Sequence, residues 1–540
     1  MKYLLLFSLL FYTLAFAAEQ DAPYDVIIKN GTIYDGSGEK PFMADIALRG
    51  EEIVRIGDLE NAIAPKIIDA SGRAIAPGFI NVLSWAANSL FRDGRSMSDI
   101  KQGVTLEVFG EGSSMGPIPG DEQEWNTLDE FLVHLTDKGV STNVASFVGA
   151  TTIRQYVLGH ADRAPNENEL DQMRKLVREA MEDGALGLGT SLIYAPAFFA
   201  DTEELIELSR VVAEYDGLYI SHLRSEGNSF EESVDELLEI SRKAGIRAEI
   251  FHLKAAGKPN WHKLDNVINK IEAARIIEGL EISANMYTYT AASTSLAAIM
   301  PPWTNEGGHR AWIRRLKDPE IRKQIVEEIQ TDSDDWENFY LAAGTPDNII
   351  ITGLNNSNLR SYNGLTLAQI AEQRDTGPIE TAIDLTIEDN RRIGAVYFLM
   401  SDENVKRQIQ IPWMSFGSDG GSFSDRMGSM VHPRAFGNFA RLLGKYVRDE
   451  QVIPLEEAIY KMTALPAKNL RIGSRGKLKE GYKADIVIFD PETIRDHATY
   501  EDPHQYASGV DHVFVNGVQV LKNGKHTGAK PGQVVRRSSN

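Results

Sequence analysis

The chain has 540 residues, of which 42% are hydrophobic and 25% charged, with 45 glycines and 21 prolines. This is the composition of a folded globular protein and excludes a disordered or collagen-like one. The formal net charge is −21, from 56 basic and 77 acidic residues, and such a negative field disfavours nucleic acid as a partner. Because the sequence contains no cysteine, disulfides, thiolate metal ligands and lipidation of a cysteine are also excluded.

The first 20 residues, MKYLLLFSLLFYTLAFAAEQ, have the features of a secretory signal peptide. Lys2 precedes a short apolar stretch, and Ala15-Phe16-Ala17 provides a small-x-small cleavage site. The apolar stretch is short for a membrane span, and acidic residues follow it directly. We therefore expect a signal peptide over residues 1–17 and a periplasmic or secreted mature protein without a membrane anchor.

The two ends of the mature chain are predicted to be rich in β-structure. Residues 18–75 contain YDVIIKNGTIYDG and ADIALRGEEIVRIG, which alternate in hydrophobicity around Asn-Gly and Arg-Gly turns. Residues 471–540 show the same pattern in KADIVIFDP and DHVFVNGVQVLKNGK. Since chain ends often lie near each other, we predict that both ends form one small β-sandwich domain.

Residues 76–470 alternate apolar strands with helical stretches, the pattern of βαβ units around a parallel sheet. Eight candidate strands end near Trp85, Glu111, Gly149, Tyr194, His222, His252, Tyr287 and Asp419. The fold class predicted is therefore α/β, a (β/α)8 TIM-like barrel with its chemistry at the C-terminal strand ends; a doubly wound open sheet is the alternative. The stretch from about 302 to 375 is too long for a simple connection and predicts an inserted subdomain.

Four strand-end residues are candidates for metal chemistry. His222 and His252, in LYISHLRSEG and AEIFHLKAAG, are one βαβ repeat apart and are expected at the same height on neighbouring strands, where two imidazoles can bind one ion. Glu111 is a natural third ligand, which leaves a fourth position for water. Asp419, in WMSFGSDGG, could transfer a proton from that water to a leaving nitrogen. The alternatives are buried core histidines, a capping glutamate and a turn aspartate.

Residues 112–116, GSSMG, match the G-x-S-x-G motif around the nucleophile of serine hydrolases. That motif requires a helix directly afterwards, whereas PIPGDEQEW follows here and its prolines disfavour a helix start. A Ser114 nucleophile is therefore disfavoured.

Together these residues make the chain resemble the N-acyl-D-amino-acid deacylase (D-aminoacylase) family of the amidohydrolase superfamily. The resemblance covers nearly all of the mature chain and rests on VIIKNGTIYDGSG, APGFI, SHLRSEG, HLKAAG, MYTYTAAST, GSDG and HPRAFGNFARLLGKYVRD, among other blocks. It implies a barrel with a β-sandwich and an insertion, and zinc-dependent hydrolysis of an N-acyl amide. It also implies that His222 and His252 hold zinc, that Asp419 is catalytic, and that the residues holding the substrate are Lys254, Tyr194, Tyr287, Ser293 and Arg434.

The chain departs from the family at two metal-binding places. The best-known members have His-x-His on strand one, where this chain has Leu83-Ser84-Trp85, and a cysteine on strand two, where it has Glu111. Leucine and tryptophan do not bind zinc, so we expect one Zn²⁺ per chain, held by Glu111, His222 and His252. Trp85 would line the pocket, contact the acyl group or pack in the core.

We therefore expect a metal-dependent amidohydrolase that converts a small N-acyl-D-amino acid into a carboxylate and a free D-amino acid. Two alternatives stay open at this point. One is hydrolysis of another amide, such as a dipeptide with a D-residue or a cyclic amide. The other is a non-catalytic binding protein that retained the barrel.

Overall fold

The computed structural model describes residues 24–538 except 121–123, 425–426 and 428–429, so the predicted signal peptide lies outside the described residues. Within these ranges no helix is long and apolar enough to cross a membrane. The strands are β1 (Val26–Ile33), β2 (Phe42–Arg49), β3 (Glu52–Gly57), β4 (Lys66–Asp69), β5 (Ala74–Pro77), β6 (Phe79–Asn81), β7 (Val104–Phe109), β8 (Asn143–Ser146), β9 (Val148–Gly149), β10 (Gly187–Ser191), β11 (Leu218–His222), β12 (Arg247–Ile250), β13 (Ile282–Met286), β14 (Ala291–Ser295), β15 (Ile349–Thr352), β16 (Gly394–Phe398), β17 (Met414–Phe416), β18 (Ile486–Phe489), β19 (Val510–Val515), β20 (Val518–Lys522) and β21 (Lys525–His526).

The α-helices are α1 (Ala87–Arg92), α2 (Met97–Ile100), α3 (Leu128–Lys138), α4 (Ala150–Leu158), α5 (Glu167–Glu182), α6 (Thr202–Ala213), α7 (Phe230–Ala244), α8 (Leu264–Ile276), α9 (His309–Lys317), α10 (Pro319–Gln330), α11 (Phe339–Ala343), α12 (Leu367–Arg374), α13 (Pro378–Asp389), α14 (Asp402–Ile409), α15 (Arg434–Arg441), α16 (Leu455–Met462) and α17 (Ala464–Asn469). A π-helical segment, Leu442–Asp449, continues α15. Short 3₁₀ turns cover Ala197–Phe199, Lys258–Lys263, Leu296–Ile299, Pro302–Asn305, Pro346–Asn348 and Ser357–Tyr362.

Parallel strands form a closed barrel. One sheet contains β6, β7 and β8, and the other runs in the order β9-β10-β11-β12-β13-β17. The two sheets join at Phe147, between β8 and β9, whose N–H donates to the Phe109 carbonyl at 2.9 Å. The barrel closes where Ser84 pairs in parallel with Gly420, which follows β17. The predicted barrel is confirmed, and the open sheet is not formed.

The two ends of the chain share a nine-stranded sheet in the order β21-β20-β19-β18-β5-β1-β2-β3, with β4 beside β1. Strand β5, from the N-terminal end, pairs antiparallel with β18, from the C-terminal end. A buried cluster contains Ile28, Ile46 and Ile75 from the first end together with Ile486 and Phe514 from the second. Side chains from both ends thus form one apolar core, as the alternating patterns predict.

The insertion between β13 and β17 has its own core. Strands β14, β16 and β15 form an antiparallel sheet, and helices α9 to α13 are part of the same segment. Its buried cluster includes Leu316, Ile325, Ile351 and Ile383. Strands β14 and β16 lie on either side of the predicted 302–375 stretch, so the sheet extends beyond those bounds on both sides.

Candidate metal and catalytic site

Three candidate ligands meet at the C-terminal edge of the barrel. Glu111 lies two residues after β7, His222 ends β11, and His252 lies two residues after β12. One ligand atom from each lies within 4.8 Å of the others, and all three side chains are buried. Because the strands are parallel, their carboxyl ends share one edge, which explains why residues distant in sequence converge.

Glycines allow the Glu111 carboxylate to reach this point. Gly110 and Gly112 have φ angles of +106° and +70°. A Cβ at Gly110 would lie 2.4 Å from the Phe147 carbonyl oxygen, and one at Gly112 would lie 2.4 Å from the Ser191 Cβ. Only glycine fits such close contacts with the neighbouring strands at positive φ.

His222 presents one free imidazole nitrogen. Its Nδ1 donates to the Leu223 carbonyl at 3.0 Å, so the Nε2 lone pair is available. Burial lowers the pKa of His222 to about 4, which keeps the ring neutral near pH 7. Its ring centroid is 4.5 Å from that of His252, at an interplanar angle of 83°. A neutral imidazole with one nitrogen fixed by a carbonyl is the usual form of a metal-binding histidine.

His252 lies between two carboxylates. Its Nε2 is 2.7 Å from Glu111 Oε1, and its Nδ1 is 3.0 Å from Glu226 Oε1. Burial and the nearby Lys254 act to lower the pKa of His252, but Glu226 and Glu111 outweigh them and raise it to about 9. The site thus favours positive charge, and its donor set of two imidazoles and a carboxylate fits a divalent cation such as zinc.

Glu226 was not among the residues predicted from the sequence. Its Oε1 is 2.5 Å from Lys254 Nζ, which also lies 2.6 Å from His252 Nδ1, and all three side chains are buried. The Glu226 carboxylate therefore bridges Lys254 and His252, a position that orients the His252 ring. The sequence feature that could have indicated Glu226 is its position before Gly227 in SHLRSEG, the segment that also contains His222.

The inserted subdomain supports this arrangement through Glu337. Its Oε2 accepts hydrogen bonds from the Ser225 hydroxyl at 2.6 Å and from the Glu226 N–H at 3.1 Å. Burial raises the pKa of Glu337 to about 7. The subdomain therefore fixes the loop that carries Glu226.

Asp419 faces the cluster from the last strand. It lies three residues after β17 with a φ of +47°, a left-handed conformation that aspartate tolerates better than most residues. Its Oδ2 is 2.8 Å from Arg434 Nη1. Burial raises the pKa of Asp419 to about 6, although Arg434 opposes this shift. A carboxyl group with a pKa near neutrality is suited to both accepting and returning a proton.

Leu83 and Trp85, which stand in place of the His-x-His of strand one, lie in different environments. Leu83 is buried in the barrel core, whereas Trp85 is 49% exposed. The Trp85 indole N–H points at two carboxylates, 2.7 Å from Glu111 Oε2 and 3.1 Å from Asp419 Oδ1. Trp85 therefore links a candidate ligand to the candidate base, a contact that the sequence does not reveal.

The Arg434 side chain lies beside Asp419 and contacts Tyr287 and Ser293. Arg434 Nη2 donates to the Ser293 carbonyl at 3.2 Å, and the guanidinium carbon lies 4.5 Å from the Tyr287 ring centroid. Within the described residues, Arg434 Nε and Nη1 have no hydrogen-bond partner, although Nη1 forms the ion pair with Asp419. The guanidinium group therefore retains donors for an anionic group.

Tyr194 lies beside His222. Its ring centroid is 5.5 Å from that of His222, and its hydroxyl donates to Thr294 Oγ1 at 2.7 Å. Burial raises the pKa of Tyr194 and that of Tyr287, so both hydroxyls remain protonated. The five predicted substrate-holding residues thus lie around the cluster, but Lys254 is already bound to Glu226.

Ser114 lies in a loop. Its hydroxyl donates to the Gly116 carbonyl and accepts from the Gly149 N–H. The next α-helix of the described residues, α3, begins only at Leu128. The strand-turn-helix geometry of a serine nucleophile is not formed here.

Comparisons with known proteins extend over nearly the whole chain. The model of the Amidohydrolase family (Amidohydro_3) matches residues 139–521. A D-aminoacylase from Alcaligenes xylosoxydans xylosoxydans is 32% identical over 96% of this chain and 98% of its own. A crystal structure of N-acyl-D-glutamate deacylase from Bordetella bronchiseptica, complexed with zinc and a phosphonate inhibitor, has a TM-score of 0.81 at 30% identity and covers 95% of this chain and 100% of its own. A D-aminoacylase structure described by one-metal activation and second-metal attenuation of a binuclear centre has a TM-score of 0.80 at 30% identity, with the same coverage.

These comparisons identify the protein as a hydrolase that acts on amide bonds. The chain belongs to the amidohydrolase family and, within it, to the D-aminoacylase family.

Proposed function

We propose that the protein hydrolyses N-acyl-D-amino acids with one Zn²⁺ held by Glu111, His222 and His252. The observation that carries this proposal is the convergence of these three buried ligands within 4.8 Å, with Asp419 facing them. The relatives described as acting on N-acyl-D-amino acids support the substrate class. The buried Glu111-His222-His252 cluster and the facing Asp419 argue against a non-catalytic binding protein.

When bound, zinc would lower the pKa of a water molecule toward neutrality and polarise the amide carbonyl. Asp419 accepts the proton of the attacking water and then donates it to the departing amine. Arg434 binds the α-carboxylate of the substrate through its unpaired donors, and the protonated Tyr194 and Tyr287 hydroxyls orient the amide. Lys254 and Glu226 position His252.

The substrate class is tested with zinc-loaded protein and a panel of N-acetyl-D- and N-acetyl-L-amino acids, together with cyclic amides. We expect release of free amino acid from the D-series only. Turnover of the L-series at the same rate would contradict the proposed chirality. Opening of cyclic amides without hydrolysis of linear ones would favour the alternative substrate class.

Trp85 is expected to limit the site to one metal. Its N–H lies between Glu111 and Asp419, where a second cation would otherwise share these carboxylates. Replacing Trp85 with phenylalanine removes the donor, so we expect a second, weaker zinc to bind. Mass spectrometry after equilibrium dialysis measures the zinc content, with Trp261→Phe as a control because the Trp261 indole N–H donates instead to the Leu399 carbonyl. Two zinc ions in the wild-type protein would contradict this role.

Zinc affinity is expected to increase with pH. In the metal-free protein His252 has a pKa of about 9 and must lose its proton before its nitrogen can bind zinc. Below that pKa, affinity should therefore rise about tenfold per pH unit. Competition with a chelator between about pH 6 and 8 measures this slope, with the buffer's own zinc affinity subtracted. An affinity that does not change with pH would show that His252 is not protonated in the metal-free site.

We also propose that the protein is exported. The proposal rests on Lys2, the apolar stretch and Ala15-Phe16-Ala17. N-terminal sequencing of the protein from the periplasmic or extracellular fraction should begin at Ala18. Recovery of the intact N-terminus from the cytoplasm would contradict export.

A further inference from the structure

A large open cavity lies next to the Glu111-His222-His252 cluster. It has a volume of 1450 Å³, which exceeds the roughly 300–1,000 Å³ typical of small-molecule sites. Its walls come from the segment after β6, from the inserted subdomain and from the loop after β17. An N-acetyl amino acid would occupy only a small part of this volume.

Trp85 connects the cavity with the catalytic residues. Its side chain lines the cavity, while its indole N–H contacts Glu111 and Asp419. Gly421, two residues after Asp419, also lines the cavity. A substrate whose amide lies at the cluster can therefore extend past Trp85 into this space.

The cavity carries unpaired positive charge in a protein whose net charge is −21. Arg92, Arg360, Arg391 and Lys530 line it and are exposed. Among the described residues these four side chains form no hydrogen bond, ion pair or ring contact. Exposed cations that are left unpaired around one cavity attract an anionic ligand.

The acidic residues described in the same cavity already have protein partners. Asp93 forms an ion pair with Arg95 at 2.6 Å, and Glu388 forms one with Arg374 at 2.7 Å. Asp389 accepts backbone N–H bonds from Asn355 and Asn356, both at 2.7 Å. The charge available to a ligand is therefore positive.

Amide side chains add donors and acceptors for a peptide backbone. Asn88 forms no hydrogen bond through its side chain within the described residues, and Asn363 uses only its Oδ1, which accepts from the Leu354 N–H. A fully ionised phosphate monoester offers only acceptors, whereas a peptide offers both N–H and C=O groups to such amides.

We propose that this cavity binds the acyl part of the substrate, and that this acyl part is an acidic peptide chain. The proposal rests on the deacylase function above. The D-amino acid lies at the Glu111-His222-His252 cluster, and the acidic peptide lies between the barrel and the inserted subdomain. Arg360 and Arg391 contact the carboxylates of the peptide.

The test compares substrates that share one D-residue and carry acetyl, acetyl-Gly-Gly or acetyl-Glu-Glu as the acyl group. We expect kcat/KM to be highest for acetyl-Glu-Glu. The double variant R360Q/R391Q should lower the ratio of acetyl-Glu-Glu to acetyl-Gly-Gly turnover by roughly three- to tenfold, and added salt should lower it in the wild type. The control R310Q/R314Q removes the same charge from exposed positions outside the cavity and should leave the ratio unchanged.

Equal turnover of the acidic and neutral peptides, or an equal change in both double variants, would overturn the proposal. Calorimetric titration of the protein with acetyl-Glu-Glu separates this failure from failure of the deacylase function. If no substrate is hydrolysed, the deacylase function fails, but binding that R360Q/R391Q weakens would still support the anionic site. Absence of binding would overturn the site as well.

Discussion

Replacing Asp419 with asparagine is expected to lower kcat on linear N-acyl-D-amino acids by about 10²–10⁴-fold, the range typical for loss of a general acid-base group. The carboxylate is buried, faces the Glu111 side of the cluster and has a pKa of about 6, so it can exchange a proton near neutral pH. The amide of asparagine preserves the size of the side chain but does not accept this proton. Steady-state kinetics measures the change, and mass spectrometry checks that the zinc content is unchanged.

Asp496 offers a matched control for this prediction. It also pairs with an arginine, Arg441 at 3.0 Å, and accepts from the Tyr289 hydroxyl at 3.3 Å. An Asp496→Asn variant should retain most of the activity. If Asp419→Asn keeps full turnover, the proton is carried by another group and the proposed role of Asp419 is wrong.

Replacing His222 with glutamine is expected to remove both metal and activity. His222 contributes the neutral Nε2, and loss of a direct ligand should weaken zinc binding by more than the roughly 10–100-fold seen when a supporting residue is removed. Equilibrium dialysis followed by mass spectrometry gives the zinc content, and activity is measured on the same sample.

His262 is the control for the histidine substitution. It is exposed and lies outside the three-residue cluster, so His262→Gln should bind zinc as the wild type does. Full zinc content in His222→Gln would mean that the metal is held elsewhere. Loss of zinc in both variants would point to general instability.

The strand-end residues could be predicted because the barrel makes their positions regular. His222 and His252 follow similar apolar strands one βαβ repeat apart, and parallel strands place such residues at one edge. Glu111 was recognisable from the glycines on both sides. The structure brings these three side chains together with Asp419, while their roles in catalysis remain predictions.

The contacts of Glu226, Glu337 and Trp85 could not be predicted in the same way. Glu226 lies in a loop after β11, where no strand periodicity fixes the direction of a side chain. Glu337 reaches the site from the inserted subdomain, more than 100 residues along the chain. Trp85 is apolar by composition, and its N–H acquires a role only because two carboxylates converge on it.

The bounds of the inserted subdomain also could not be predicted from the sequence. The length of the 302–375 stretch indicated an insertion, but β14 and β16 flank that stretch and pair with each other across about 100 residues. Short strands that pair over such distances leave only a weak local pattern. Their place in the sheet therefore becomes visible only in the folded chain.

We propose that one zinc ion at the Glu111-His222-His252 cluster is sufficient for hydrolysis of an N-acyl-D-amino acid. Titration of the metal-free protein with zinc, with release of the D-amino acid measured at each step, tests it most directly. We expect activity to rise linearly and to reach its maximum at one equivalent of zinc per chain. A maximum only at two equivalents, or full activity before zinc is added, would contradict it.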